Sequence, residues 1–208
     1  MFKKKITQFL RYIRNTKSKH YYGNELNRYA SLETYLNFYN NSSKKENVLT
    51  NTEIRFSPDI KFGSSIEHVK DNNPHECTIL ENTKDCTILF YRIKDGSHKF
   101  RLEMHFFKNK LVFFNYIFSS SQDKKIIPNL IAKKYLKSQG SLLLNFSKNT
   151  LTDGFRNHVE IEDSVFLTIH YFTFRFGFFD YLKKTINNYQ VQKVRVNNSK
   201  ESLLLNRI

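Results

Sequence analysis

The apolar positions change their spacing several times along the chain, and each change marks a predicted element. Phe2, Ile6, Phe9, Leu10 and Ile13 recur at helical intervals, and Tyr21-Tyr22-Gly23 ends that helix. Leu26, Tyr29, Leu32, Tyr35, Leu36 and Tyr39 line one face of a second helix. Asn40-Asn41-Ser42-Ser43-Lys44-Lys45-Glu46-Asn47 has no apolar period and predicts an exposed linker. A short strand is predicted over Glu53–Ser57. Ser64 or Ser65 can then cap a helix carrying Ile66 and Val69, with Glu67 at capping-box spacing from Ser64. That helix stops at Asn72-Asn73-Pro74, because proline disfavours helix in the residue before it.

The next stretch switches to a period of two. Strands are predicted over Cys77–Leu80, Cys86–Ile93, Lys99–Phe106 and Lys110–Phe118, separated by turn-forming residues. Lys108-Asn109 makes a tight hairpin between the last two. Pairing Phe107 with Lys110 sets Phe106 against Leu111, Met104 against Phe113, Leu102 against Asn115 and Phe100 against Ile117. That register predicts an apolar core face. It places Arg101, Glu103 and His105 on the other face, beside Val112, Phe114, Tyr116 and Phe118.

Further on, Ile127, Leu130, Ile131 and Leu136 predict an amphipathic helix over Asp123–Lys137, with Pro128 tolerated near its first turn. Leu142–Phe146 is a strand candidate, His158–Glu162 and Val165–Phe174 a hairpin, and residues 178–188 a last helix or turn. Gln190–Val196 is a possible terminal strand. The implied fold is α+β, an antiparallel sheet with helices packed on it, preceded by an N-terminal helical arm. The implied division is a basic arm and linker over 1–47, the α+β domain over 48–196 and a tail over 197–208.

Charge sharpens this division. The 208 residues carry a formal net charge of +15, and the first fifty hold ten cations against three acids. An arm that visits an anionic partner fits such a distribution better than a uniformly basic surface. Twenty Phe and twelve Tyr supply core volume that the modest apolar content would otherwise lack. Cys77 and Cys86 flank a predicted turn, where a bridge is geometrically possible, although two thiols suit a cytoplasmic protein better. Met1-Phe2-Lys3-Lys4-Lys5 looks like the start of a signal peptide, yet Arg11 and Arg14 interrupt any apolar segment after it. A soluble, cytoplasmic protein without a transmembrane segment is expected.

The helix entered through Phe62-Gly63, containing Val69 and ending at Pro74, with antiparallel strands after it, resembles the beta-lactamase-inhibitor-protein fold. The small outer-membrane assembly lipoproteins share that pattern. The resemblance spans roughly residues 60–118 and implies a non-enzymatic protein-binding module.

Three functional readings follow. The first is a non-catalytic protein-interaction module binding another protein through Phe114, Tyr116 and Phe118, with Arg101 and His105 setting polar contacts. The second is nucleic-acid binding, with Lys3, Lys4, Lys5, Arg11 and Arg14 neutralising phosphates; the same arm could instead meet an anionic membrane surface. The third is an enzyme acting on a phosphate-containing substrate through Arg101, Glu103 and His105. His158, Glu160 and Glu162 alternate as a solvated strand face would. His68 and His75 lack zinc-ligand spacing, and no phosphate loop or nucleophile elbow occurs, so no cofactor or metal is expected.

Overall fold

Alternation of side chains in the middle of the chain produces a long meander, and the rest of the molecule is built against its two faces. The computed structural model describes residues 29, 33–73, 75, 77–83, 85–96, 98–119, 121–136, 144–185 and 187. Among them, helix α1 (Glu33–Ser42) leads into strand β1 (Glu46–Leu49), and α2 (Ile66–Asn72) precedes β2 (Cys77–Thr83). The meander continues through β3 (Cys86–Asp95), β4 (His98–Phe107) and β5 (Lys110–Phe118). Helix α3 (Ser121–Leu136) crosses to β6 (Asn149–Thr152), β7 (Asn157–Asp163) and β8 (Leu167–Thr173), and residues 178–185 form α4.

The eight strands make one sheet in the order β1-β6-β7-β8-β5-β4-β3-β2. Every neighbouring pair is antiparallel except β1 with β6. Two meanders, β2 to β5 and β6 to β8, therefore meet where Phe114 pairs with Tyr171. The α+β expectation holds, with helices on both sides of an antiparallel-dominant sheet.

The first face buries Tyr91, Leu102, Met104, Phe114, Val159 and Tyr171 under Val69 of α2, Ile131 of α3 and the loop residues Ile54 and Ile60. The second face buries Ile88, Phe90, Phe107, Val112, Phe113 and Phe172 under Tyr35 of α1 and Phe178, Phe179 and Leu182 of α4. Apolar burial on both sides explains why β5 shows almost no polar alternation.

Three local expectations need correction. Glu46 and Asn47 lie in β1, not in a linker, because their backbone pairs in register with Asn149 and Thr150. Residues 53–57 form no strand; the Ile54 amide donates to the Asp153 carboxylate at 2.8 Å in place of a ladder bond. Pro128 stands well inside α3, past its first turn. Ser65, and not Ser64, caps α2 by accepting from the His68 amide. Cys77 and Cys86 are free thiols. They pair with Tyr91 and Thr83 and do not face each other. The basic helix with Lys3, Lys4, Lys5, Arg11 and Arg14, the possible strand 190–196 and the tail 197–208 lie outside the described residues.

Gly63 couples the loop to the sheet. Its amide donates to the Leu111 carbonyl at 2.9 Å, and the Leu111 amide returns a bond to the Ser64 carbonyl. Gly63 adopts φ +91°, and a Cβ there would meet Cζ of Phe176 at 2.7 Å. Gly63→Ala is expected to cost about 1–3 kcal/mol from backbone strain alone. Urea unfolding measures the loss; an unchanged midpoint would refute this role.

Candidate functional site

One extra residue decides which side chains share a face. The β4–β5 pairing starts as Phe107↔Lys110 and Phe106↔Leu111, then resumes as His105↔Phe113 and Met104↔Phe114. Val112 has no opposite residue, so it is the inserted position of a β-bulge. Beyond it every side chain of β5 takes the face opposite to that expected. Phe114 and Phe118 are buried in the first core and Tyr116 is partly buried against it. The predicted grouping of these three aromatics with Arg101 and His105 is thereby corrected. The residues that stand beside Arg101, Glu103 and His105 are Ile117, Asn115 and Phe113.

Asn115 is the productive member of the new set. Its Nδ2 donates to Glu103 Oε2 at 3.3 Å and to the Tyr29 hydroxyl oxygen at 3.1 Å. The Tyr29 hydroxyl donates to the same Glu103 oxygen at 2.5 Å. Arg101 Nε lies 2.9 Å from the other oxygen, Oε1, and His105 Nε2 lies 3.9 Å from Oε2. Tyr35 of α1 reaches His105 Nδ1 at 2.8 Å. His170 links Asn115 Oδ1 at 2.8 Å to the Glu162 carboxylate at 3.3 Å. Tyr29, Tyr35, Phe38, Asn115 and His170 border a cavity of about 160 Å³ beneath α1.

Electrostatics fixes the state of the central group. Complete burial works to raise the Glu103 pKa, but His105, Arg101 and the Tyr29 hydroxyl together outweigh it and hold the carboxyl down at about 2. Glu103 is thus an ionised carboxylate with no solvent exposure. The trio predicted as a possible catalytic set does converge, yet Glu103 and His105 are buried under Tyr29 and α1, with Glu103 Oε2 bonded to Tyr29 and His105 Nδ1 to Tyr35.

Sequence reading also expected His158 and Glu160 on a solvated strand face; both are buried. Glu160 accepts from Lys45 Nζ at 2.8 Å and from the Thr150 hydroxyl at 2.7 Å. His158 stacks on Phe172, and burial pushes its pKa down to about 4. Glu162 alone of that set stays exposed.

Further along the same face the sheet opens to solvent. Arg92 stands directly opposite Arg101, and Lys94 directly opposite Lys99. These four cations border a groove of about 400 Å³ with Phe100, Ile117 and Phe166. Among its described lining residues there is no carboxylate. Phe166 keeps 48% of its surface exposed. Like charges placed directly across a strand pair repel, and Glu103, 2.9 Å from Arg101 Nε, offsets part of that repulsion here.

Of the sequence-predicted binding residues, Arg101 alone reaches this groove. Arg92, Lys94, Lys99 and Phe166 went unrecognised, although the sequence holds their signal. Arg92-x-Lys94 and Lys99-x-Arg101 flank one turn with matched parity, which puts all four on one face of a hairpin.

Comparison with known proteins supplies no family: no family model, curated protein or solved structure matches the chain. Among the described residues no cluster of His, Cys, Asp or Glu could hold a metal ion, and no helix is long and apolar enough to cross a membrane.

Proposed function

We propose that this chain is a non-catalytic interaction module that captures an anionic partner in the groove lined by Arg92, Lys94, Lys99 and Arg101. The observation that carries this reading is the pair of directly opposed cations, Arg92 with Arg101 and Lys94 with Lys99, around a groove lined by no described carboxylate. Cations clustered at such spacing raise the local anion concentration.

Arg101 connects the groove to the rigid interior. Its Nε lies at ion-pair distance from Glu103, 2.9 Å, and Glu103 is in turn held by Tyr29 and Asn115. The guanidinium is therefore oriented before a ligand arrives, which lowers the ordering cost of binding. Catalysis is the weaker reading, because the acid–base groups Glu103 and His105 are shielded from any substrate. The exposed aromatic anchor is Phe166, in the place that Phe114, Tyr116 and Phe118 were expected to fill.

Thermal unfolding with pyrophosphate, at ionic strength held constant with sodium chloride, tests the proposal. Ligand that binds only the folded state raises Tm with concentration, by about 2.7 kcal/mol of stabilisation at a hundred times Kd. The wild-type protein is expected to show that rise. Lys94→Glu with Lys99→Glu, at two exposed positions, is expected to abolish it while leaving the fold intact. An equal rise in both proteins, or none in the wild type, would sink the reading.

A further inference from the structure

We infer that the ligand of the basic groove is a nucleotide: a phosphate ester carried on a planar, largely apolar group, whether free or within a single strand. The inference rests on the anion-binding reading above and names the chemistry that the groove prefers.

Charge density is the first argument. Arg92, Lys94, Lys99 and Arg101 occupy consecutive same-face positions of two paired strands. Directly opposed Cβ atoms are about 5 Å apart, and successive same-face positions about 7 Å. A single carboxylate brings one charge and two oxygens into that quadrilateral. A phosphate monoester brings about −1.5 to −2 charges and three acceptor oxygens, so it can engage cations on both strands at once. Arginine adds a planar fork that suits phosphate oxygens, and Arg92 and Arg101 face one another across the pair.

The apolar wall is the second argument. Ile117 and Phe166 line the same groove as the cations, and Phe166 leaves nearly half of its surface in water. An inorganic anion has no apolar part to set against an exposed ring beside the charges. A nucleobase does, since any base can stack on an aromatic face without regard to sequence. The groove volume of about 400 Å³ falls in the range of small-ligand sites and suits one nucleotide unit better than a folded protein surface.

A competition titration decides it. Fluorescence anisotropy of a labelled adenosine diphosphate is followed with the full-length protein, with unlabelled adenosine monophosphate, inorganic phosphate and hexaglutamate as competitors. Adenosine monophosphate is expected to compete at least about tenfold better than either other anion, given the worth of one stacked base. Phe166→Ala is expected to remove that advantage while leaving the weak competition by inorganic phosphate unchanged. Hexaglutamate competing as well as the nucleotide, or Phe166→Ala without effect, overturns the nucleotide assignment but leaves anion binding in place. Absence of any binding sensitive to Lys94→Glu and Lys99→Glu overturns both. A labelled oligothymidine octamer distinguishes the sources: binding more than about tenfold tighter than the mononucleotide, with a steep salt dependence, marks a single strand as the ligand. Equal affinity marks the free nucleotide.

Discussion

Glu103→Ala should lower the unfolding free energy by about 3–5 kcal/mol, the cost of breaking a buried ion pair by removing one partner. The size follows from what the substitution strands. Tyr29 and Asn115 donate to Glu103 Oε2 from buried positions, and Arg101 forms an ion pair with Oε1 from the edge of the groove. Removing both charges together, as Glu103→Leu with Arg101→Met, should recover much of the loss, because an apolar pair needs no solvation. Urea unfolding of the single and double variants measures both effects. A loss below about 1 kcal/mol for the single variant would contradict this role of the network in stability.

Acid provides an independent view of the same group. The Glu103 carboxyl is held at about 2 in the folded chain, below its ordinary value of 4.5. The unfolded chain therefore takes up this proton first as pH falls. The stabilising contribution is complete above the unfolded pKa and disappears as pH drops through about 2. His158 acts at higher pH, though with the same sign. Its pKa is lowered from 6.5 to about 4, so stability starts to fall below pH 6.5 and this loss is complete below about 4. A protein that weakens in two acid stages fits both shifts.

Phe114→Ala carries the second large effect, about 3–5 kcal/mol of lost stability. Phe114 has no solvent exposure; it stacks on Tyr171 at 4.5 Å between ring centroids and packs on Phe62 and Phe56. Truncation leaves a cavity between the two meanders, where the sheet has few ways to close. Phe166→Ala is the matched control, since Phe166 is about half exposed and its loss should move the unfolding midpoint little. Equal destabilisation by the two substitutions would contradict the placement of Phe114 on the core face.

The contrast between these two phenylalanines shows where the sequence is readable and where it is not. Strict alternation over Phe100, Leu102, Met104 and Phe106 specifies the core face of β4, and the hairpin at Lys108-Asn109 specifies where β5 begins. Leu111-Val112-Phe113-Phe114 is apolar at four successive positions, and both faces of the sheet here are buried. Periodicity therefore cannot say which residue drops out of the ladder. Asn115 held the missing information. A regular register opposes it to Leu102 on the core face, whereas the bulge opposes it to Glu103, where its amide finds partners. A buried polar group without a partner is costly enough to have decided the matter.

β1 escaped detection for the opposite reason. Most of its side chains face solvent, so it shows no apolar period, and its identity comes from backbone pairing with β6. The candidate groove sits between these extremes. Its cations alternate visibly in the sequence, but their meaning depends on knowing that Arg92 meets Arg101 and that no helix is among the groove's lining residues.

Amide hydrogen exchange, with and without saturating adenosine diphosphate, tests the central claim that binding resides in this groove. Protection is expected in residues 92–101 and around Phe166, with the Phe114–Tyr171 seam unchanged because it is already buried. Protection confined to α1, or to any surface away from the β3–β4 hairpin, would contradict the account.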